Sequence, residues 1–264
     1  MIWEMIVQGL LLTAGLMSVL WLIHLRIGNA AIVDAGWAAG LALLAVLYAL
    51  QGDGFPERRL AIAIVASLWG FRLAVHLLID RVIGQPEEGR YQELRRRWKT
   101  HLSAKFFVFF QFQALLDVLL SAPFLLIALN PRPAFSALEY AGMALWTVAF
   151  SGEVLADRQL RRFKADARNR GQVCRSGLWN YSRHPNYFFE WLIWVSFFLM
   201  ALPAPYGWIA AVSPALILFF LFRITGIPAT EAQAVRSRGD LYREYQRTTS
   251  AFVPWFKLNK GVAR

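Results

Sequence analysis

Between Gly177 and Glu190 the chain reads Gly177-Leu178-Trp179-Asn180-Tyr181-Ser182-Arg183-His184-Pro185-Asn186-Tyr187, with Glu190 closing the segment. A guanidinium, an imidazole, amides, two phenols and a carboxylate in so short a run offer donors to phosphate oxygens and acceptors to ribose and amide groups. Pro185 is suited to open a helix, because its fixed φ fits the first turn and the N–H it lacks has no partner there. Arg183, His184 and free backbone N–H groups then gather at a helix N-terminus, a natural seat for an anion. Related mixtures stand at Glu87-Glu88-Gly89-Arg90-Tyr91 and in Glu231, Arg236, Tyr242 and Tyr245, ahead of Phe252-Val253-Pro254-Trp255-Phe256. That last apolar cluster reads as an interfacial anchor. No Gly-x-Gly-x-x-Gly run occurs, so a dinucleotide would be held without a Rossmann domain.

A second set of ionisable residues falls inside apolar stretches: Asp34, Arg72, His76, Asp117, Glu153 and Glu190. Near mid-bilayer each costs roughly 2.5–3.5 kcal/mol on insertion scales, so each requires a partner or a task. For Asp117 and Glu153, pairing across helices and function stand level as readings. Asp34 sits beside Trp37, one to two turns from the cytosolic end of the second apolar stretch. A carboxyl in an apolar pocket at that depth can serve as a proton donor reached from a cytosolic cofactor, with a structural ion pair as the alternative. Metal chemistry is not expected: a single cysteine, Cys174, and four scattered histidines do not supply a zinc set, and His24 and His76 lack a haem attachment motif.

The elements that must position these groups are helices in a bilayer. Hydrophobic residues make up 57% of the 264-residue chain and charged residues only 17%, a balance outside the soluble range. Seven stretches approach the ~20 apolar residues that a crossing needs: about 5–25, 31–50, 59–79, 107–129, 136–156, 187–203 and 206–225. Asp157-Arg158-Gln159-Leu160-Arg161-Arg162-Phe163-Lys164 continues the fifth of them as a basic helical extension. Arg58, Arg59 and Arg132 alone fall in the outer loops, Arg72 lies within the third helix, and the rest of the 28 Lys and Arg fall in inner segments. The asymmetry predicts an N-terminus outside and a cytosolic C-terminus. The expected architecture is an all-α polytopic membrane protein, one domain over 1–264 with a cytosolic tail at 226–264. The net charge of +11 belongs to that topology and does not indicate nucleic-acid binding.

The segment Gly177 to Glu190, with Tyr242-x-x-Tyr245 and Phe252-Val253-Pro254-Trp255, resembles the membrane steroid 5α-reductase family in its bacterial branch, over helices two to seven and the tail. The resemblance implies seven helices with NADPH lodged between them under cytosolic loops. The reaction it implies is hydride transfer to the β-carbon of an α,β-unsaturated ketone, with an acid polarising the carbonyl. It implies nucleotide contacts from Asp157, Arg161, Lys164, Tyr181, Asn186 and Glu190, and from Asp80 and Arg81 with Arg90 beyond them. Arg170, Arg175, Arg183 and His184 are the expected phosphate partners by charge and position. Glu231, Arg236, Tyr242 and Tyr245 complete the expected cofactor set. Where that family carries a Gln-Glu pair and a Tyr, this chain has Val33-Asp34 and Trp69. Asp34 replaces the glutamate at shorter reach, whereas Trp69 cannot donate an acidic proton. Asp34 alone, a water, or Tyr91 folding inward then completes the acid, so Asp34 and Tyr91 are the catalytic candidates. Trp37, Trp69 and Arg72 are the expected substrate contacts.

The expected activity is NADPH-dependent reduction of the carbon–carbon double bond of a 3-oxo-Δ4-steroid or similar apolar enone that enters from the bilayer. The active site is expected to face the cytosol, in a bacterial inner membrane or the endoplasmic reticulum, and membrane lipid is the only other partner expected; no oligomer is implied. Arg-His-Pro-x-Tyr is shared with isoprenylcysteine carboxyl methyltransferases, so an S-adenosylmethionine-dependent membrane methyltransferase is the alternative. The density of Arg and Lys from 158 to 183 favours a phosphorylated cofactor. A lipid-binding scaffold would leave the Tyr, Asn and Glu residues of the loop without a role.

Overall fold

A computed structural model of the chain describes residues 1–224 and 226–256. The final stretch of the expected tail, 257–264, lies outside them. The helices are α1 Ile2–Ile27, α2 Ile32–Gln51, α3 Pro56–Arg81, α4 Gly89–Trp98, α5 Leu102–Leu120, α6 Ala122–Ala128, α7 Ala137–Ala165, α8 Pro185–Ala201, α9 Val212–Arg223, α10 Ile227–Arg238 and α11 Asp240–Thr248. Among the described residues the only extended pairing is an isolated parallel bridge between Ser182 and Ser250. The fold is therefore all-α. Helices α1, α2, α3 and α5 and the helical stretch Gly207–Arg238 are long and apolar enough to cross a bilayer. They mark an integral membrane protein. Two compact units divide the chain, Met1–Ala137 with Met200–Ser213 and Leu138–Leu199 with Pro214–Arg264.

In the first unit α2 is the central helix, and its buried positions are mostly small: Ala35, Gly36, Ala38, Gly40, Ala42, Ala45 and Ala49. Small residues let neighbouring backbones approach closely, which is how helices gain packing energy where lipid offers no hydrophobic drive. Gly70 of α3 shows the tolerance: a Cβ there would lie 2.7 Å from the Ala38 carbonyl oxygen and 3.0 Å from the Ala42 Cβ. Gly40 plays the same part toward α5, since a Cβ on it would collide with Asp117 Oδ2. Asp117 is wholly buried, and neither carboxyl oxygen has a hydrogen-bond partner among the described residues.

The outer helices are two-faced. α1 buries Met5, Gly9, Thr13 and Met17 at four-residue spacing and exposes Val7, Leu11, Val19 and Leu22. α3 buries Ile62, Ala66, Trp69, Leu73 and Leu77 and exposes Ile64, Leu68, Val75 and Ile79. Such apolar outer faces are disfavoured in water by about 25 cal/mol per Å² and are at home in acyl chains.

Two local outcomes differ from the sequence reading. The expected continuous stretch 107–129 is broken at Ser121, where α5 ends and α6 begins. Pro123 has no N–H to continue the ladder, and Ser121 Oγ turns back to the Val118 carbonyl at 2.8 Å. Arg58, counted as an outer-loop charge, is buried in the first turn of α3. It donates to the carbonyls of Asn130 (3.0 Å), Arg132 (2.7 Å) and Ala134 (2.7 Å), with its guanidinium over the Phe55 and Phe135 rings. A loop that offers three carbonyls to one planar donor explains why this arginine is inside.

In the second unit α7 runs on through the basic segment to Ala165, and α8 begins at Pro185. α8 has 17 residues and α7 carries Glu139 and Glu153 along its apolar part, so neither is among the five stretches above. The turn Gly177–Asn180 is pinned to α7 by Trp179 Nε1, which donates to the Ala156 carbonyl (2.9 Å), and by Gln159 Oε1, which accepts from Leu178 N (2.9 Å). Trp191 Nε1 joins α8 to the Pro214 carbonyl at 3.2 Å. Phe252 of the tail packs against Phe188, Trp191 and Phe222.

Candidate functional site

In the first unit the ends of three helices meet at a carboxylate. Asp34 stands in the first turn of α2, Arg81 ends α3, and Glu88, Arg90 and Tyr91 stand at the start of α4. Asp34 Oδ2 accepts from Arg81 Nη1 (2.9 Å) and from Arg90 Nη2, while Oδ1 accepts from the Tyr91 hydroxyl at 2.6 Å. Three donors converge on one carboxyl, so every proton in the cluster is supplied to Asp34 and none by it. The sequence reading of Asp34 as a lone acid in an apolar pocket is corrected on that point. The charged hydrogen bonds make Asp34 an anchor, and the Tyr91 hydroxyl is its donor on Oδ1.

Tyr91 folds inward. Its side chain is buried in the cluster of Met17, Ile32, Val33, Phe106 and Phe110, its ring meets Phe109 edge-on at 6.1 Å, and the Arg90 guanidinium lies 4.8 Å from its centroid. Burial first, and then the negative charge of Asp34, push the phenol well above the ordinary tyrosine range. The loop that delivers it is fastened by Asn29 Nδ2 on the Arg81 carbonyl (3.0 Å) and by Glu87, which accepts from Ala30 N (2.8 Å) and Arg95 Nε (2.7 Å). Glu88 is held differently: its Oε2 lies 3.2 Å from Arg81 Nη1 and 3.3 Å from Arg90 Nη2 and makes no hydrogen bond. Glu87 and Glu88 stand in the sequence reading only as part of the Glu87–Tyr91 run, without a role of their own, and Asn29 is missing from it; the Gly28-Asn29 helix stop was the available signal for Asn29.

The expected substrate contacts also lie in this unit. Trp37 and Trp69 meet edge-to-face with centroids 6.3 Å apart, Trp69 wholly buried and Trp37 half-buried. Arg72 and Asp80 are half-buried further along α3.

The Arg-His-Pro turn of the second unit is a structural knot. Arg183 Nε donates to Glu231 Oε1 (2.6 Å), its Nη1 donates to the Gln246 carbonyl (2.9 Å) and the Thr249 carbonyl, and its backbone N–H reaches the Ser250 carbonyl (2.9 Å). His184 Nε2 lies 3.3 Å from the same Glu231 oxygen, and its ring stacks on Tyr187. Gln246 Nε2 takes the other Glu231 oxygen at 2.8 Å. Tyr245 donates to the Trp179 and Ser182 carbonyls, and Ser182 Oγ donates to the Phe252 carbonyl at 2.7 Å. Tyr242 is buried beside them, its hydroxyl pushed up to about 12 by burial and then by the Glu231 charge. Arg175 donates to the Leu241 carbonyl (2.9 Å) and pairs with Glu244 (3.1 Å). Arg183, His184, Glu231, Tyr242 and Tyr245, expected around a cofactor, thus tie the tail to the turn before α8, a use of donors that a sequence pattern does not distinguish from ligand binding.

The remaining expected contacts are spread over the same unit. Asp157 is buried in α7, whereas Arg161, Lys164 and Arg170 are exposed. Asn186 and Glu190 are half-buried on α8. Tyr181 is exposed, its carbonyl accepting from Trp255 N at 3.0 Å, and Arg236 is exposed with its guanidinium on Gln233.

The fold defines an all-helical integral membrane protein, with a clamped carboxylate where α2, α3 and α4 meet. Residues 20–249 match the family described as proteins of unknown function, DUF1295, and the chain belongs to that family, which is associated with steroid 5α-reductase-like membrane proteins. An uncharacterised protein of Schizosaccharomyces pombe is 29% identical over 282 residues, covering 94% of this chain and 79% of the relative. No solved structure matches the chain.

Proposed function

We propose that the protein is an NADPH-dependent reductase of the carbon–carbon double bond of an apolar enone, with 3-oxo-Δ4-steroids as the substrate class. The observation that carries this reading is the Tyr91 phenol, buried among apolar side chains and hydrogen-bonded to a carboxylate that two arginines fix. An enone being reduced gains a hydride at its β-carbon and a proton at its α-carbon, and negative charge passes through its oxygen between the two events. NADPH, when bound, supplies the hydride. Tyr91 supplies what the oxygen needs: its single O–H turns from Asp34 Oδ1 to the substrate oxygen and gives it a hydrogen bond or the proton as the charge develops. Asp34 holds that phenol in place until substrate binds, and Arg81 and Arg90 hold Asp34 against rotation. The apolar neighbours of Tyr91 suit a hydrocarbon skeleton and exclude water from the developing charge.

Phosphate groups of the cofactor fit Arg81 and Arg90, whose contact with Glu88 lacks hydrogen-bond geometry. In this reading the chain crosses the membrane seven times, with the N-terminus outside and the basic inner segments and C-terminus in the cytosol, in a bacterial inner membrane or at the endoplasmic reticulum. The Lys and Arg distribution supports that orientation.

The test is incubation of the purified protein with progesterone and NADPH deuterated at the transferable position, followed by mass spectrometry of the steroid. A gain of one deuterium is expected. No transfer, together with tight binding of S-adenosylmethionine, would replace the reductase with the methyltransferase that shares Arg-His-Pro-x-Tyr.

A further inference from the structure

The tail is laid against the turn that precedes α8, and hydrogen bonds fix its backbone there. Ser182 and Ser250 form the parallel bridge, Arg183 N donates to the Ser250 carbonyl (2.9 Å), Ser182 Oγ donates to the Phe252 carbonyl (2.7 Å) and Trp255 N donates to the Tyr181 carbonyl (3.0 Å). With the backbone held, the side chains divide. Phe252 turns inward to Phe188, Trp191 and Phe222, whereas Val253, Trp255 and Phe256 are exposed, the last two at 64% and 77%. Tyr181 is exposed as well and meets Phe256 edge-on at 6.1 Å. Phe252 also sets the level of this patch. Phe222 is the residue before Arg223, which closes α9, and Phe188 and Trp191 stand in the opening turns of α8, just after Arg183 and His184. The apolar lengths of two helices therefore reach their polar ends beside Phe252. α9 belongs to a stretch that is long and apolar enough to cross a bilayer, and its Phe219 and Phe222 are exposed like the patch itself.

We infer that Tyr181, Val253, Trp255 and Phe256 form a membrane-insertion patch whose partner is the bilayer itself, at the boundary between headgroups and acyl chains. The indole and the phenol each join an apolar body to a polar tip, the combination that collects at headgroup level, and Val253 and Phe256 add apolar surface that water disfavours. Lipid is the occupant because the patch is pegged, through Phe252, to the point where the apolar run of α9 stops. Of the cluster Phe252-Val253-Pro254-Trp255-Phe256, Phe252 is thus the peg rather than part of the anchor, and Tyr181 joins the anchor from another part of the chain. Tyr181 becomes a lipid contact in place of the nucleotide contact that the family resemblance implies. The patch also fastens α11 to the membrane: Tyr245 donates to the Trp179 and Ser182 carbonyls, and the carbonyls of Gln246 and Thr249 accept from Arg183. Its role does not depend on the reductase reading.

The test is a spin-label depth measurement on the full chain in phosphatidylcholine nanodiscs, with Cys174→Ser removing the native thiol. Val253→Cys and Phe256→Cys carry the label in turn, and both leave Phe252 in place. Asp240→Cys, at a side chain 94% exposed where α11 begins, is the aqueous reference. At 253 and 256 the label is expected to collide more often with oxygen, which concentrates in acyl chains, than with a water-soluble nickel chelate, and the ratio should reverse at 240. Labels at 253 and 256 that meet the chelate as often as the label at 240 place the patch in water and overturn the inference. Labels shielded from both reagents show a protein surface covering the patch, a second copy included, and overturn it equally. Quenching by brominated phosphatidylcholine needs no cysteine substitution: wild-type emission should be quenched more than that of Trp255→Phe, and equal quenching would remove Trp255 from the bilayer.

Discussion

Tyr91 gives its hydroxyl proton to Asp34 Oδ1 at 2.6 Å, and the other oxygen of that carboxyl is held by Arg81 and Arg90. A donor from α4 is thereby aimed by an acceptor from α2 that is itself fixed by the end of α3. In this pair the phenol is the donor and the carboxylate the acceptor, and the roles proposed for them separate under substitution.

Tyr91→Phe keeps the ring among Phe106, Phe109 and Phe110 and removes only the hydroxyl. Enone turnover should fall about 10²- to 10⁴-fold, the usual worth of a positioned general acid, with NADPH affinity within about twofold of wild type. Single-turnover oxidation of NADPH and a separate binding titration measure the two. Unchanged turnover would remove Tyr91 from the chemistry.

Asp34→Ala strips the fork of its hydrogen-bonded acceptor and leaves two partly buried guanidiniums facing each other. The loss of stability should be about 2 kcal/mol, between the values for exposed and fully buried pairs. Asp34→Asn preserves shape and should melt closer to wild type while still losing turnover. Thermal melts in one detergent rank the three proteins, and equal melts for wild type and Asp34→Ala would contradict the clamp.

The phenol of Tyr91 should stay neutral in the folded protein well past pH 10, because burial and Asp34 both oppose its ionisation. Its folded value is raised, so its contribution to stability is complete below the unfolded tyrosine value near 10 and is lost as pH rises beyond it. Absorbance titration at 295 nm should therefore give superimposable curves for wild type and Tyr91→Phe until alkaline unfolding, with one extra phenolate in wild type only afterwards. An extra step near pH 10 in the folded wild type would show Tyr91 to be solvated.

Arg183→Lys replaces a planar fork, shared between Glu231 and two carbonyls, with a point charge that cannot span them. Hydrogen exchange over residues 240–256 should rise by at least tenfold, while exchange in α1 to α3 should be unchanged. Protection in the tail equal to that of wild type would mean that the knot is not what holds it.

Much of this arrangement was legible in the sequence because periodicity and charge distribution act locally. The apolar stretches at 5–25, 31–50 and 59–79, the helical extension beyond Asp157 and the opening of α8 at Pro185 all follow from spacing and proline chemistry. The inward fold of Tyr91 depends on the packing of α4 on α5, which no local pattern carries. What stayed hidden depends on partners distant in the chain. Arg58 looks like a loop charge until the carbonyls of 130–134 surround it, and Arg183 looks like a phosphate ligand until Glu231, Gln246 and Thr249 take its donors. Composition identifies a donor; it does not say which acceptor reaches it first.

The seating of Asp117 against the bare Cα of Gly40 binds two positions on different helices into one heritable unit. A lineage that acquires a side chain at 40 must shorten the residue at 117 in the same step or lose the contact between α2 and α5. Among homologues those two columns should therefore drift together, glycine persisting wherever the acid does.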